Sequence, residues 1–563
     1  MHKWSIFYSD RYTNYLKNLL DYIVMMYAHE KFNDDEIQAL TPYFTNLEGP
    51  VFALTNLPEV VRGALFARYS RSDKSLRRLF LDEFVGELDV SGDTTLDATV
   101  GLERAQDLYQ KIFFEYGDDS VAQLGGVHLA CEQASNILTK VLEWGRLMAY
   151  LEQSTRYIPY DTRLGSRYRY ARPSDILDSP LGARYIGDID SIFDGYSKML
   201  PTLVDWAKAR YPKSSTDSDF VYKMTIKAKA CDSVRGLLPA ATLSNVGMYG
   251  TGQAYEALLL RMNAHPLIEM REYAHLMLIE LRKVIPSFLA RVDRPDRGGE
   301  WANYFKETRE DVSSEIENLF DKDLSSAKVE PTNVTLTDFD PEGENKVVAA
   351  ILYSHSHKSE SELIRDVEKL THEQKVDILK AYVGDRKNRR HKPGRAFERT
   401  DYRFDILSDY GAFRDLQRHR MLTIEWQQLT PDHGYDIPEA VIEAGVQKEF
   451  EDILETSKNL HDALSERFPV GASYAVALQY KIRYVMQMNA REAMHMCELR
   501  SAPQGHIAYR EVAQQMHTLI KDVAGHKAIA ESMKYVDYGK YELERLDAER
   551  AAEKKREMAG VKK

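Results

Sequence analysis

This chain is short of the residues and patterns that define several large classes of protein. It holds three cysteines in 563 residues, Cys131, Cys231 and Cys497, far apart and without metal-ligand spacing. That argues against a disulfide scaffold or a zinc ribbon, and the thiols read as reduced, in a reducing compartment. No apolar run approaches the roughly 18 residues that read as a membrane-spanning helix. An apolar patch at residues 19–27 is interrupted by Asp21 and precedes no small-residue cleavage site, so a cytoplasmic protein with no membrane association is expected. Positive charge is not in excess either: 75 Lys and Arg stand against 87 Asp and Glu, a net charge of −12. General nucleic-acid binding is disfavoured, and an anionic ligand needs a defined local pocket.

What is present is length and repetition. The length exceeds one ordinary core and suits two domains of about 200–250 residues with extensions. Tyr69–Ser75 returns as Tyr353–Ser359 with five of seven positions identical, Met270–Met277 returns as Tyr509–Met516, and Arg261 returns as Arg500. Spacings this long mark a tandem duplication, not a solenoid. The repeat spacing shortens along the chain, which implies loop insertions in the first copy. The expected division is an N-terminal helical extension at 1–50, a first copy at 51–320, an acidic aperiodic linker at 321–345, a second copy at 346–545 and a charged helical tail at 546–563.

Two amphipathic stretches organise the copies. Ile406, Tyr410, Phe413 and Leu416 recur at helical spacing, which predicts a helix delivering Arg418, His419 and Arg420 at its end. In the first copy Ala134, Ile137, Val141, Trp144, Met148 and Leu151 predict another, running into Glu152-Gln153-Ser154-Thr155-Arg156-Tyr157. Taken alone, a basic triplet there merely offsets the helix macrodipole. Taken together, the two stretches resemble the signature of the flavin-dependent thymidylate synthases, Arg-His-Arg followed by Ser-x-Arg-Tyr, divided between the copies. The first copy keeps Ser154, Arg156 and Tyr157 but has Trp144-Gly145-Arg146 at the triplet. The second keeps Arg418, His419 and Arg420 but has Gln428, Thr430 and Pro431 in place of Ser, Arg and Tyr. Arg235-Gly236-Leu237-Leu238-Pro239, Leu260-Arg261 with His265, Phe397-Glu398, Asn489-Ala490-Arg491, His495 and Leu499-Arg500 add to the resemblance in the right order.

The resemblance implies an α+β fold of two tandem domains, each mainly helical with a small antiparallel sheet. It implies reductive methylation of dUMP to dTMP, with methylenetetrahydrofolate as carbon donor, FAD as cofactor and NADPH as reductant, and neither a metal nor a cysteine nucleophile. Guanidinium forks suit a nucleotide phosphate, which makes Glu152, Gln153, Ser154, Arg156, Tyr157 and Arg235 the substrate-binding candidates. Ser70 or Ser354, Glu398, Arg418, His419, Arg420, Asn489, Arg491 and His495 are the flavin candidates, and Arg261, His265 and Arg500 those for polarising the pyrimidine. Each has a plainer reading. The serines cap the helix that follows, Arg156 pairs with an acid such as Glu152, Arg235 is a helix-terminal cation, and the histidines are packed and singly bonded. His265 precedes Pro266, where a helix breaks. The family is a homotetramer with shared sites, so a fused pair is expected to form a homodimer, a pseudo-tetramer. A same-scaffold enzyme for another pyrimidine nucleotide and a non-catalytic nucleotide- or flavin-binding protein remain as alternatives.

Overall fold

The computed structural model describes residues 30–48, 52–69, 74–83, 123–156, 158–319, 333–543 and 545–558. Across them the chain is mostly helical with two small antiparallel sheets, an α+β arrangement of two repeats. The first repeat contains β1 (Gly126–Ser135), α1 (Asn136–Leu142), β2 (Met148–Glu152), α2 (Gly182–Arg210), α3 (Asp219–Val234), β3 (Leu243–Thr251), α4 (Gly252–Asn263) and α5 (Ile268–Arg282). The second contains β4 (Val334–Phe339), α6 (Gly343–Tyr353), β5 (Asp401–Asp409), α7 (Tyr410–Leu416), β6 (Thr423–Trp426), α8 (Gln447–Ser465), β7 (Lys481–Asn489), α9 (Ala490–Arg500) and α10 (Ile507–Asp522). One sheet has the order β1-β3-β2. The other has β4-β5-β7-β6, the same three strands in the same order with β4 added at one edge.

The central strands follow from alternation. In β7, Ile482, Tyr484, Met486 and Met488 are buried, while Lys481, Arg483, Val485 and Gln487 are half-exposed, the period of two that a one-sided strand requires. Strands β1, β3, β5 and β7 each hand over to a helix through a side-chain cap, and the caps correspond between repeats. Ser135 accepts from the Leu138 N–H and Asp409 from that of Ala412; Thr251 and Asn489 do the same at α4 and α9.

The two helices read from the apolar spacing are shorter than expected. Ala134 and Cys131 lie on β1, α1 stops at Leu142, and Met148 and Leu151 belong to β2; Ile406 likewise lies on β5 and α7 begins at Tyr410. A seven-residue helix between two strands has its apolar positions extended by those of the strands, and the combined spacing imitates one long helix. The acidic stretch at 321–345 is also not all linker, because β4 and the start of α6 lie within it. Residues 1–29 of the expected helical extension, with the apolar patch at 19–27, and residues 321–332 of the linker lie outside the described residues.

The repeats are welded along a local axis that relates them. Backbone bonds cross between corresponding loops: Ala240 N–H donates to the Val476 carbonyl (2.8 Å), Ala241 to Tyr474 (2.9 Å), Leu478 to Leu238 (2.9 Å) and Gln479 to Gly236 (2.8 Å). One apolar core then runs through both, from Val127 to Met533. Residues near the N-terminus, among them Leu40, Phe44, Leu65 and Phe80, form a separate small cluster. The helix Leu546–Met558 lies against α3, where Arg550 pairs with Asp217 at 2.7 Å. No helix among the described residues is long and apolar enough to cross a membrane.

Candidate functional site

The welded axis brings the two half-signatures face to face within one chain. The turn after α7 carries Gln417, Arg418, His419 and Arg420, and the corresponding turn after α1 carries Glu143, Trp144, Gly145 and Arg146. Between them lies a cavity of about 310 Å³, lined by both turns together with Arg261 and residues 422–425. Contacts cross it in both directions. Arg420 donates to the Met148 carbonyl, Arg146 to Thr423 Oγ1 (3.0 Å), and Gln417 Nε2 to the Lys140 carbonyl (2.8 Å). Beneath it, Lys140 bridges Glu143 (2.6 Å) and Glu152 (3.3 Å), and Arg414 closes on Glu152 at 2.5 Å. All four are buried. Burial works against the charge on Glu152, but Arg414 and Lys140 hold its carboxyl down to about 2. Glu143 is pushed upward by burial. Glu152 is therefore an interior ion-pair residue that ties α7 to β2.

Next to this lies a cluster of four arginines. Arg156 is buried and forms a fork with Asp232, Nε to Oδ1 at 2.8 Å and Nη2 to Oδ2 at 2.7 Å, while Nη1 donates to Tyr509 Oη (2.9 Å) of the second repeat. Arg235, also buried, stands 4.0 Å from Asp232 and leaves Nη2 without a partner. Asp415 on α7 pairs with Arg418 and lies 3.8 Å from Arg500. Burial opposes its ionisation, yet Arg418, Arg500, Arg235 and Arg156 together hold it well below the ordinary carboxylate range. Asp232 is likewise held low by Arg156 and Arg235 against burial. The third nearby acid, Asp409, is pushed upward by burial. Four guanidiniums thus face two firmly ionised carboxylates, and a surplus of one to two positive charges remains, depending on Asp409. Arg235 Nη2 and Arg418 Nε are its unpartnered buried donors.

His419 connects this cluster to α9. Its Nδ1 lies 2.7 Å from Glu492 Oε1, and Arg500 Nε donates to its Nε2 at 3.0 Å. An acceptor on one side and a donor on the other fix the neutral tautomer with the proton on Nδ1. Burial accordingly lowers His419 to about 4. His495 completes a His419–Glu492–His495 group whose polar atoms lie within 4.8 Å of one another. With both ring nitrogens of His419 already engaged, the group is a hydrogen-bond relay.

The other sequence candidates fall in several places. Asn489 spends its side chain capping α9 at Glu492 N–H (2.9 Å). Arg491 donates to the Pro393 carbonyl (2.9 Å) and stands 3.5 Å from Glu398, which also pairs with Arg395. Ser354 closes α6, donating to the Ile351 carbonyl; the cap of the following helix is Ser359. Ser154 Oγ accepts from the Arg156 N–H (3.3 Å), and Gln153 N–H donates to the Asn245 carbonyl. His265 lies beyond the end of the helix that carries Arg261, as its place before Pro266 implies. α4 ends at Asn263, and the His265 ring accepts from the Leu267 N–H in the turn that Pro266 enforces. Ser70 and Tyr157 lie outside the described residues.

Arg261, the counterpart of Arg500, is placed quite differently. Its guanidinium lies 3.5 Å from the centre of the Trp144 ring, and Trp144 stands where the second repeat has Arg418. Burial lowers Arg261 to about 10. At the corresponding positions Asp415 is answered by Val141 and Arg156 by Thr430. The two repeat-related places therefore differ in kind: one is a four-arginine cluster, the other a single arginine stacked on an indole. Nothing in the sequence alone marks Asp232 and Asp415 as special, although each lies three residues before an arginine, the spacing at which an acid and a base meet along a helix.

Residues 66–287 and 335–525 match the family model of the thymidylate synthase complementing proteins. The chain is 38% identical over 532 residues to a UPF0159 protein of Chlamydia pneumoniae, covering 93% of this chain and 99% of that one. It is 31% identical over 513 residues to a UPF0159 protein of Thermoplasma acidophilum, covering 87% and 97%. A solved UMP/dUMP methylase, PolB from Streptomyces cacaoi bound with 5-Br dUMP, overlaps 36% of this chain and 97% of its own at 16% identity and a TM-score of 0.28, too slight a likeness to bear on the fold. By a family match that spans both repeats, this chain belongs to the thymidylate synthase complementing family and carries its domain twice.

Proposed function

We propose that the protein is a thymidylate synthase-like flavoenzyme that methylates dUMP reductively to dTMP, taking the carbon from methylenetetrahydrofolate, with FAD as cofactor and NADPH as reductant. The observation that carries this reading is the four-arginine cluster. Its surplus of one to two charges matches a nucleoside monophosphate, whose phosphate carries about −1.5 to −2 at neutral pH. Its spare buried donors, Arg235 Nη2 and Arg418 Nε, are the groups a phosphate would engage. Arg156 and Arg235 come from the first repeat, Arg418 and Arg500 from the second, so the phosphate site is composite. Within it Asp232 and Asp415 hold the guanidiniums in place and keep the charge surplus small.

The neighbouring cavity fits part of a flavin. Its 310 Å³ is at the lower end of the roughly 300–1,000 Å³ that small-molecule pockets occupy, room for a ring system and not for a whole dinucleotide. Arg146, Arg261 and Arg420 supply cations, and Glu143 and Gln417, both buried, each have one side-chain oxygen without a partner, a donor and acceptor set suited to a heterocycle with N–H groups and a charged edge. A bound flavin would supply the hydride; Arg420 and Arg146 would orient its ring, and neutral His419 would hold Arg500 in the phosphate site. The test is direct. Purified protein incubated with FAD should acquire a flavin absorbance band, and with dUMP, methylenetetrahydrofolate and NADPH should yield dTMP by chromatography. Absence of both dUMP binding by calorimetry and flavin uptake would overturn the reading.

A further inference from the structure

A basic loop stands beside this site in the second repeat only. Residues 386–395 read Arg-Lys-Asn-Arg-Arg-His-Lys-Pro-Gly-Arg, within a chain whose net charge is −12. The corresponding stretch of the first repeat, residues 111–119, holds one lysine against three acids. Arg386 is the buried post around which the loop is wound. It forms a fork with Glu498, both bonds at 2.6 Å, and donates to the His391, Arg389 and Ser532 carbonyls. Tyr535 Oη donates back to the Arg386 carbonyl. A loop held by that many bonds to one interior guanidinium has a fixed shape, and the side chains it leaves outside are displayed.

Those displayed are Lys387, Arg389, Arg390 and Lys392. None makes an ion pair or side-chain hydrogen bond among the described residues, and three of the four are exposed. By contrast the cations that flank them are matched, Arg386 to Glu498, Arg395 to Glu398 and Arg399 to Glu360. The strip runs into the candidate site at one end, where Arg491 donates to the Pro393 carbonyl and the next residue, Glu492, holds His419. Burial of part of its stem lowers Lys392; Glu492 and Glu498 at the site end of the strip work against this, and Arg491 and Arg389 add to it.

From this we infer that the strip Lys387–Lys392 is a docking track for the oligo-γ-glutamate tail of the one-carbon donor, which leads the tail away from the site across the second repeat. The inference rests on the proposed use of a reduced folate. The chemistry selects a linear polyanion: four cations without an ion-pair partner among the described residues, spread over six residues, exceed what a single phosphate or a diphosphate engages, and γ-linked glutamates present one carboxylate per unit along a flexible chain. A nucleic acid is a poorer match, because the strip has no Tyr, Phe or Trp on which bases would stack.

The experiment compares tetrahydrofolate carrying one glutamate with tetrahydrofolate carrying five, titrated anaerobically into the full-length protein at low ionic strength. The expected result is about tenfold tighter binding of the longer tail, from several exposed pairs each of modest strength. The difference should shrink at high salt, where exposed pairs are screened. It should vanish in the K387Q/R389Q/R390Q/K392Q variant, whose binding of the single-glutamate form is unchanged. Equal affinity for the two tails in the natural protein overturns the inference, as does tighter binding of a short single-stranded RNA than of the longer tail. Should neither folate bind, the proposed reaction falls, and a free penta-γ-glutamate peptide then decides the track alone. Binding to the natural protein and not to the variant upholds a polyanion track, and binding to neither overturns it.

Discussion

Replacing Arg156 by methionine separates structure from binding at the arginine cluster. The guanidinium is buried and forked to Asp232, whose side chain is only 11% exposed. Removing one member of such a pair leaves the other charge buried without its partner, at a cost of about 3–5 kcal/mol. Arg235, 4.0 Å away, offsets a part of this. Since a chain of two welded repeats need not unfold in one step, the readout is the thermal midpoint, which should fall by roughly 5–10 °C. The pH dependence has a definite sign. In the natural protein Asp232 is held below its ordinary value, so it contributes stability above about pH 4 that is lost as pH falls through its lowered pKa. In Arg156→Met burial raises it instead, and its contribution is present when protonated and lost as pH rises. The gap between the two proteins should therefore be widest at neutral pH and narrow towards pH 4. Adding Asp232→Leu should restore most of the midpoint, because a buried pair replaced by apolar groups is nearly neutral in stability. It should not restore nucleotide binding, which loses about one to two orders of magnitude with the charge-assisted bonds of one arginine. Calorimetric titration of dUMP into both variants decides the matter. A double variant that is stable and binds dUMP like the natural protein would refute the role given to Arg156.

Four further outcomes are expected. Flavin should bind at about one tight site per chain, because the cavity proposed for its ring is lined by the turns of both repeats together and so forms once per chain; a spectrophotometric stoichiometry of two would contradict this. Trp144→Ala should cost the stacking of Arg261, roughly 0.5–2 kcal/mol beyond the lost ring contact, visible as a lowered midpoint that Arg261→Met, already lacking the cation, no longer shows in full. Nitrogen-15 spectra should report His419 as a neutral Nδ1–H imidazole from pH 8 down to about 5, and a ring that titrates near 6.5 would remove the Glu492–His419–Arg500 relay. Arg386→Ala should destabilise by about 3–5 kcal/mol by stranding Glu498 and should make the 387–395 loop the first site of limited proteolysis.

The duplication and the fold class could be read from the sequence because both rest on signals that survive divergence, a repeated order of short motifs and alternating or helical apolar spacing. The alignment of Trp144–Arg146 with Arg418–Arg420 corresponds to two turns that occupy equivalent places after α1 and α7. The extent of those helices could not be read, since strand positions such as Ala134, Met148 and Ile406 happened to continue a helical spacing. Single residues were harder still. Glu152 resembles a ligand residue in sequence, yet its partner Arg414 lies 262 positions away and only the packed structure joins them. Asp232 and Asp415 carry no distinguishing mark in the sequence, because a lone acid beside an arginine is common, and their meaning comes from a third and fourth arginine brought in by the other repeat.

The backbone weld at residues 236–241 and 474–479 has a consequence for how such a protein changes over generations. In an assembly of identical subunits, a single codon alters every symmetry-related position at once, so an arginine needed in one pocket cannot be given up in its twin. Here the partners across the axis are encoded separately. Trp144 can stand on one side while Arg418 stands on the other, and each substitution around the axis is likewise free to act on one pocket alone.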